Sequence, residues 1–255
     1  MKTLTLVAAV CLLSILSSKS RAAEETPSGL ACSSELDIVS KYVWRGIPQS
    51  PAANEAYQPS VTVSKYGFTA NAWLNYSVDM PQRDKFSEFD LTLSYERKLN
   101  DLSVSPGFAL YTFPDLDSYG EAYMKLSHPI GFFKVMTDHY FSMLRSDIAG
   151  GYYGDAGLGY EKPLAGDSLW TSSALLGWGN SAFNSVNYNT PGPANRFNVL
   201  VLDTAVSFKL GDNGLVRPHL TYYATLPGRL RGGIREAGNA PNSLVIGIAV
   251  DYNFL

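Results

Sequence analysis

The closing stretch of the chain, Leu244–Leu255, reads LVIGIAVDYNFL. Leu244, Ile246, Ile248, Val250, Tyr252 and Phe254 fall at every second position, and Gly247, Ala249, Asp251 and Asn253 between them are smaller or more polar. A period of two is that of a strand with one apolar face. The stretch is as long as a tilted strand needs to cross a bilayer. A strand with such a face cannot stand alone in lipid, because its backbone edges would be unpaired. It is therefore read as a closing strand, marked by Tyr252 and Phe254, that pairs with its predecessor and with the first strand of a barrel.

The same period recurs through the chain. Leu36, Ile38, Tyr42 and Trp44 oppose Asp37, Lys41 and Arg45. Phe68, Ala70, Ala72, Leu74, Tyr76 and Val78 oppose Thr69, Asn71, Asn75 and Ser77, with Trp73 intruding on the polar face. Further alternating runs carry Phe89–Tyr95, Phe133–Phe141, Trp170–Trp178, Leu200–Phe208 and Val216–Tyr222. Weaker ones span Gln58–Lys65, Leu102–Thr112, Tyr119–Ser127 and Tyr152–Glu161. Aromatics on one face and charges on the other suit a strand between lipid and a watery lumen, not a sandwich with a dry core. The runs predict an all-β, antiparallel transmembrane barrel of about twelve strands. Pro106 and Pro218 lie inside two runs, and the missing ladder donor leaves that count open by two.

The connections alternate in length. Lys65–Gly67, Lys98–Asp101, His128–Gly131, Pro163–Asp167 and Gly211–Gly214 are tight and carry turn residues. Gly46–Tyr57, Asp79–Lys85, Gly179–Arg196 and Leu226–Pro241 are long. Short periplasmic turns and long outer loops produce this alternation, and an even strand number leaves both termini in the periplasm.

Composition agrees. Charged residues are only 17% of the 255, while 16 Tyr, 12 Phe and 22 Gly are present. No run beyond the N-terminus approaches the ~18 apolar residues of a membrane helix. Residues 1–23 read as a cleaved secretory signal: Lys2, an apolar Leu4–Leu16 and a small-residue site around Ala22–Ala23. Residues 24–33 read as a periplasmic lead and 34–255 as the barrel. The signal takes three of 20 basic residues and none of 23 acidic ones, so the mature chain has a net charge near −6. That excess argues against nucleic acid as a partner. Cys11 leaves with the signal, and Cys32 stays alone in what reads as a loose lead, with no internal disulfide.

Asp37–Ser50, DIVSKYVWRGIPQS, followed by Gln58-Pro59-Ser60 and GFTANAWLNYS from Gly67, resembles the opening of the TorF-like porins, a bacterial outer-membrane family. Their opening has the form SDYxxRGISQS; Ser40, Tyr42, Arg45, Gly46, Ile47, Gln49 and Ser50 match it, and Lys41 and Pro48 depart from it. The C-terminal Phe254-Leu255 likewise resembles the terminal signal of outer-membrane barrels, displaced by one residue. The resemblance implies an outer-membrane location and assembly by the barrel-assembly machinery.

Motifs for catalysis are absent. A hydrolase built on a strand needs His and Ser two apart on one face. No His-x-Ser occurs, His139 and Ser142 face opposite ways, and His219 and Thr221 share a face without an activated nucleophile. The scattered histidines and single mature Cys do not make a metal site. Gly150-Gly151 and Gly157-Leu158-Gly159 lack the helix that follows a phosphate loop, so no cofactor is expected. On the polar faces Lys41, Asp138, Asp155, Asp203 and His219 are placed near mid-height, as lumen and selectivity residues. Arg45 at the outer end of the first strand, with Arg229, Arg231 and Arg235 in the last long loop, is placed on a basic rim facing lipopolysaccharide phosphates or anionic solutes. Tyr42, Trp44, Trp170, Trp178, Tyr222 and Tyr252 are candidates for the interfacial aromatic belts. The expected activity is non-enzymatic: porin-like diffusion of small polar solutes or ions. The alternative is a non-conducting barrel serving as scaffold, adhesin or receptor through its loops, with a hydrolase a distant third.

Overall fold

The computed structural model describes residues 29–49, 54–78, 87–114, 116–143, 149–190, 195–226 and 228–254. The expected signal, residues 1–23, lies outside them, as does Leu255. In chain order the elements are β1 (Ala31–Val39), β2 (Val43–Trp44), β3 (Ile47–Pro48), β4 (Ala56–Lys65), β5 (Phe68–Ser77), β6 (Glu88–Tyr95), β7 (Arg97–Leu99), β8 (Leu102–Phe113), β9 (Leu116–Ile130), β10 (Phe133–Met143), β11 (Tyr152–Pro163), β12 (Leu169–Gly179), α1 (Ser181–Asn187), β13 (Arg196–Leu210), β14 (Gly214–Thr225), α2 (Gly228–Glu236) and β15 (Asn242–Asn253).

β15 pairs antiparallel with β14 and also with β1, from Ser33↔Asn253 to Val39↔Gly247. With β6 paired to β8, the sheet closes on itself and leaves no edge. β6 and β7 both pair with β8, from Phe89↔Thr112 to Ser94↔Gly107 and then from Arg97↔Val104, without a change of register. They form one barrel strand whose ladder lapses opposite Pro106, so the barrel has twelve strands. Pro218 acts alike: the β13–β14 pairing skips from Ala205↔His219 to Phe208↔Val216 and resumes in register. Each proline removes a donor locally without breaking its own strand. The two register shifts lie elsewhere, at Gly177/Trp178 and Tyr111/Phe113.

All five short turns expected from the sequence lie at one end, together with Ala31 and Asn253. The β4–β5 turn has Tyr66 and Gly67 both at positive φ, 51° and 86°, the signature of a two-residue type I′ hairpin. The opposite end carries the longer links with α1 and α2, neither of which the alternation foretold. β1 begins at Ala31, so the barrel starts earlier than residue 34, and Cys32 sits in a strand opposite Val63 rather than in a loose lead.

Each strand shows two faces. On β15 the apolar alternate set from Leu244 to Tyr252 is exposed, while Ser243, Val245, Gly247 and Ala249 are buried. The outward sets of the other strands make the same apolar band. Exposed aromatics mark its two margins: Tyr66, Phe68, Phe132, Phe133, Trp170 and Tyr252 toward the turn end, and Tyr57, Tyr76, Phe141, Phe197 and Tyr222 toward the loop end. Among the described residues no helix is long and apolar enough to cross a membrane.

Burial inside the barrel is graded. On β4, Ala56, Gln58 and Ser60 near the loop end are buried, whereas Thr62 and Ser64 near the turn end are half-exposed. On β10, Asp138, Tyr140 and Ser142 are buried, whereas Lys134 and Met136 are half-exposed. β5, β6, β14 and β15 repeat the gradient. The interior is a polar cup open at the turn end and filled at the loop end.

Candidate functional site

The filling begins where β1 ends. After Val39 the chain leaves the wall, and residues Tyr42–Pro48 are buried. β2 and β3 pair as Val43↔Pro48 and Trp44↔Ile47, a hairpin separate from the barrel sheet. Its central residues, Arg45 and Gly46, have φ of 47° and 80°, the positive pair that a type I′ turn requires. Gly46 is the residue that fits: a Cβ there would lie 2.6 Å from Val199 Cγ2.

The turn drives Arg45 into the barrel. Its Nη1 donates to Glu121 Oε1 at 3.0 Å and its Nη2 to Oε2 at 2.7 Å, a bidentate pair with both side chains almost wholly inaccessible. Glu121 also accepts from Tyr111 Oη at 3.0 Å and Ser142 Oγ at 3.2 Å. The guanidinium carbon lies 4.4 Å from the Trp44 ring, 4.3 Å from Tyr140, 4.4 Å from Tyr153 and 5.4 Å from Phe183. The Arg45 carbonyl accepts from Tyr188 Oη at 2.7 Å. A delocalised cation inside an aromatic shell with a carboxylate at its fork is a paired buried charge, with Nε left as its one buried nitrogen lacking a hydrogen-bond acceptor among the described residues.

The loop helices complete the plug. Asn180 caps α1 by accepting from Phe183 N at 2.9 Å. Phe183 packs against Trp44 and Tyr153, with centroids 5.8 and 5.2 Å away. α2 buries Leu230 and Ile234, one turn apart. Gly233 brings its backbone against the Tyr188 carbonyl, where a side chain would collide. Ile47, Tyr188 and Ile234 meet around a small crevice at this seam.

Arg45 is therefore not on the rim, and Tyr42 and Trp44 are not in an aromatic belt: all three are buried inside. Tyr42 donates to Glu88 Oε2 at 3.1 Å and packs on Trp73, the aromatic whose place on the polar face had stood out. Lys41 lies in the link beyond β1, half-exposed, and not at mid-height. Asp138, Asp155, Asp203 and His219 do face the interior and are buried. Asp138 and Asp155 are direct cross-strand partners, and Asp138 faces Lys125 on its other side. Asp203 accepts from Thr221 Oγ1 at 2.6 Å, and His219 Nε2 lies 3.0 Å from Asp37 Oδ1. Below them Arg217 pairs with Glu35 at 2.6 Å and Asp251 at 3.9 Å. Of the loop arginines, Arg229 and Arg235 are exposed, while Arg231 donates to the Thr225 carbonyl at 2.8 Å and Asn242 Oδ1 at 2.9 Å.

Sequence reading sets Glu88 and Asp90 on the polar face opposite Phe89–Tyr95 but singles out neither them nor Glu121 as site residues; all three crowd the filled end and are almost fully buried. Their signal was present, since each stands on the polar parity of its run. A hydroxyl–imidazole pair also escaped it. On the outward face of β10, Thr137 Oγ1 lies 3.2 Å from His139 Nε2, and His139 Nδ1 lies 2.7 Å from Tyr152 Oη. The Thr137 hydroxyl donates to the Asp155 carbonyl at 2.8 Å, so its proton is directed away from the imidazole. That is a hydrogen-bonded cluster, not an activated nucleophile.

A closed twelve-stranded antiparallel barrel with a lipid-facing band and a polar interior defines a transmembrane barrel of the outer-membrane type. Solved structures with the same fold include the KdgM porin, with a TM-score of 0.55 at 13% identity over 88% of this chain and 99% of that one. The NanC porin gives 0.53 at 14% over 85% and 98%. A second KdgM structure, described as in complex with disordered oligogalacturonate, gives 0.53 at 13% over 88% and 99%. No curated protein matches the sequence significantly. Residues 23–190 match the family described as bacterial protein of unknown function (Gcw_chp), and the chain belongs to that family.

Proposed function

We propose that the protein is an outer-membrane, porin-like channel for small polar solutes or ions, held closed at its outer end by the Val43–Pro48 hairpin. The observation that carries this reading is the graded interior: a polar, half-exposed cup at the turn end, stopped by an inserted hairpin on which α1 and the Tyr188–α2 seam pack. The hairpin belongs to a separate two-residue ladder and adds nothing to barrel closure, so it can leave without opening the wall. The short turns face the periplasm, residues 1–23 direct export, and the barrel-assembly machinery inserts the chain. The exposed Arg229 and Arg235 meet lipopolysaccharide phosphates at the outer rim.

The density of the plug favours a second reading, a non-conducting barrel that acts through its loops. Solute permeation separates the two. Liposomes carrying the wild-type protein should swell slowly in small sugars, and those carrying a variant with Val43–Pro48 replaced by six Gly/Ser residues should swell quickly. Equal, slow swelling of both, with the variant barrel intact, would favour the non-conducting reading.

A further inference from the structure

The receptacle for Arg45 is built by the barrel wall and by α1, not by the hairpin alone. Glu121 and Tyr111 come from β9 and β8, Tyr140 and Ser142 from β10, Tyr153 from β11 and Phe183 from α1. Glu121 accepts from two hydroxyl donors of the wall besides Arg45, so its carboxylate is oriented by the barrel as well as by the guanidinium. The Tyr140 and Tyr153 rings lie 6.3 Å apart and both address the same cation. A fork-accepting carboxylate ringed by aromatic faces is the chemistry that recognises a planar, delocalised cation. Arg45 reaches it from a hairpin outside the barrel sheet, at the boundary between the polar cup and the loops.

The geometry points to a guanidinium-binding site in the barrel, occupied in cis by Arg45 as a tethered stand-in for a guanidinium-bearing solute. This inference rests on the channel reading for its consequence: a solute carrying the same group competes with Arg45, frees the hairpin and opens the passage. The acidic residues at the cup's waist, Asp138, Asp155 and Asp203, would draw such a cation in.

The test empties the site and offers the group back. Methylguanidinium is titrated against wild type, Arg45→Ala and Arg45→Ala with Glu121→Gln, following tryptophan emission, to which Trp44 beside the site contributes. N-methylurea, planar but uncharged, is the control. Arg45→Ala should respond to millimolar methylguanidinium at about tenfold or more lower concentration than wild type, the double variant should lose the response, and methylurea should give none. A folded Arg45→Ala protein with no methylguanidinium-selective response, or one whose response survives Glu121→Gln, overturns the assignment. If Arg45→Ala does not fold, refolding with methylguanidinium should restore the heat-shifted band on gels, and failure of that rescue overturns it too. Conductance of the same variant is read separately. Selective binding without any conductance would sink the channel reading and leave the site standing; conductance without binding would do the reverse.

Discussion

The Arg45–Glu121 pair shows what one residue does here. Two charges with almost no solvent access are stabilising only while both are present, because removing one strands the other. Arg45→Met alone or Glu121→Leu alone should each destabilise by about 3–5 kcal/mol, and the double variant by much less. Thermal unfolding in micelles, read as the temperature at which the folded band is lost on gels, measures this; additive losses would mean the pair is not coupled. None of this was legible in the sequence. Arg45 shares the parity of Asp37, so it read as a wet-face residue at a strand end, and the aromatic shell comes from four separate elements. Asp138, Asp155 and Asp203 were legible, because strand parity alone decides their face. With Lys41 outside the barrel and Lys125 facing Asp138 inside it, acids still outnumber bases at the waist. The opened channel should prefer cations in a salt gradient, and Asp138→Asn with Asp155→Asn and Asp203→Asn should reduce that preference. An anion preference would place the filter elsewhere, at the arginines of the outer loop.

At the scale of elements, alternation carried the reading as far as the wall extends. β15 was legible because its outward face is apolar at every second position from Leu244 to Tyr252, and its ladder to β1 confirms the closure. Deleting Asp251–Leu255 removes the pairing of Ser33, Ser34 and Glu35 with Asn253, Tyr252 and Asp251, along with the bond from Phe254 N to the Cys32 carbonyl. Unpaired backbone in lipid costs several kcal/mol per group, so the truncated chain should be degraded or aggregate before insertion. Normal yield of a heat-shifted band from the truncation would show that the last residues are a tail. The hairpin was misread for a specific reason: Tyr42 and Trp44 continue the parity of Leu36 and Ile38, so the pattern ran straight through the point where the chain turns inward. The sign that it turns was Arg45-Gly46 between Trp44 and Ile47, a two-residue turn flanked by apolar residues. α1 and α2 are too short for periodicity to declare them. The Asn180 cap and the Leu230/Ile234 spacing are visible only once the helices are known.

At the scale of the whole molecule, on the proposed channel reading, the barrel supplies a path across the membrane and the loops decide whether it is open. Twelve strands enclose an interior that side chains alone do not have to fill. Here the half toward the turns is left polar and half-exposed, while Tyr42–Pro48, α1 and α2 fill the half toward the loops. On that reading, closure by the hairpin and the helices packed on it, without any narrowing of the wall, makes the state of the channel turn on the hairpin and its arginine. Planar-bilayer recording tests this most directly, comparing wild type with the variant in which Val43–Pro48 is replaced by six Gly/Ser residues, both shown by heat-shifted mobility to be folded. The expected result is a wild-type barrel that stays closed or opens rarely, and a variant that conducts steadily with cation preference. Steady conductance of the wild type equal to that of the variant, or silence of both, would contradict a channel closed by its own hairpin.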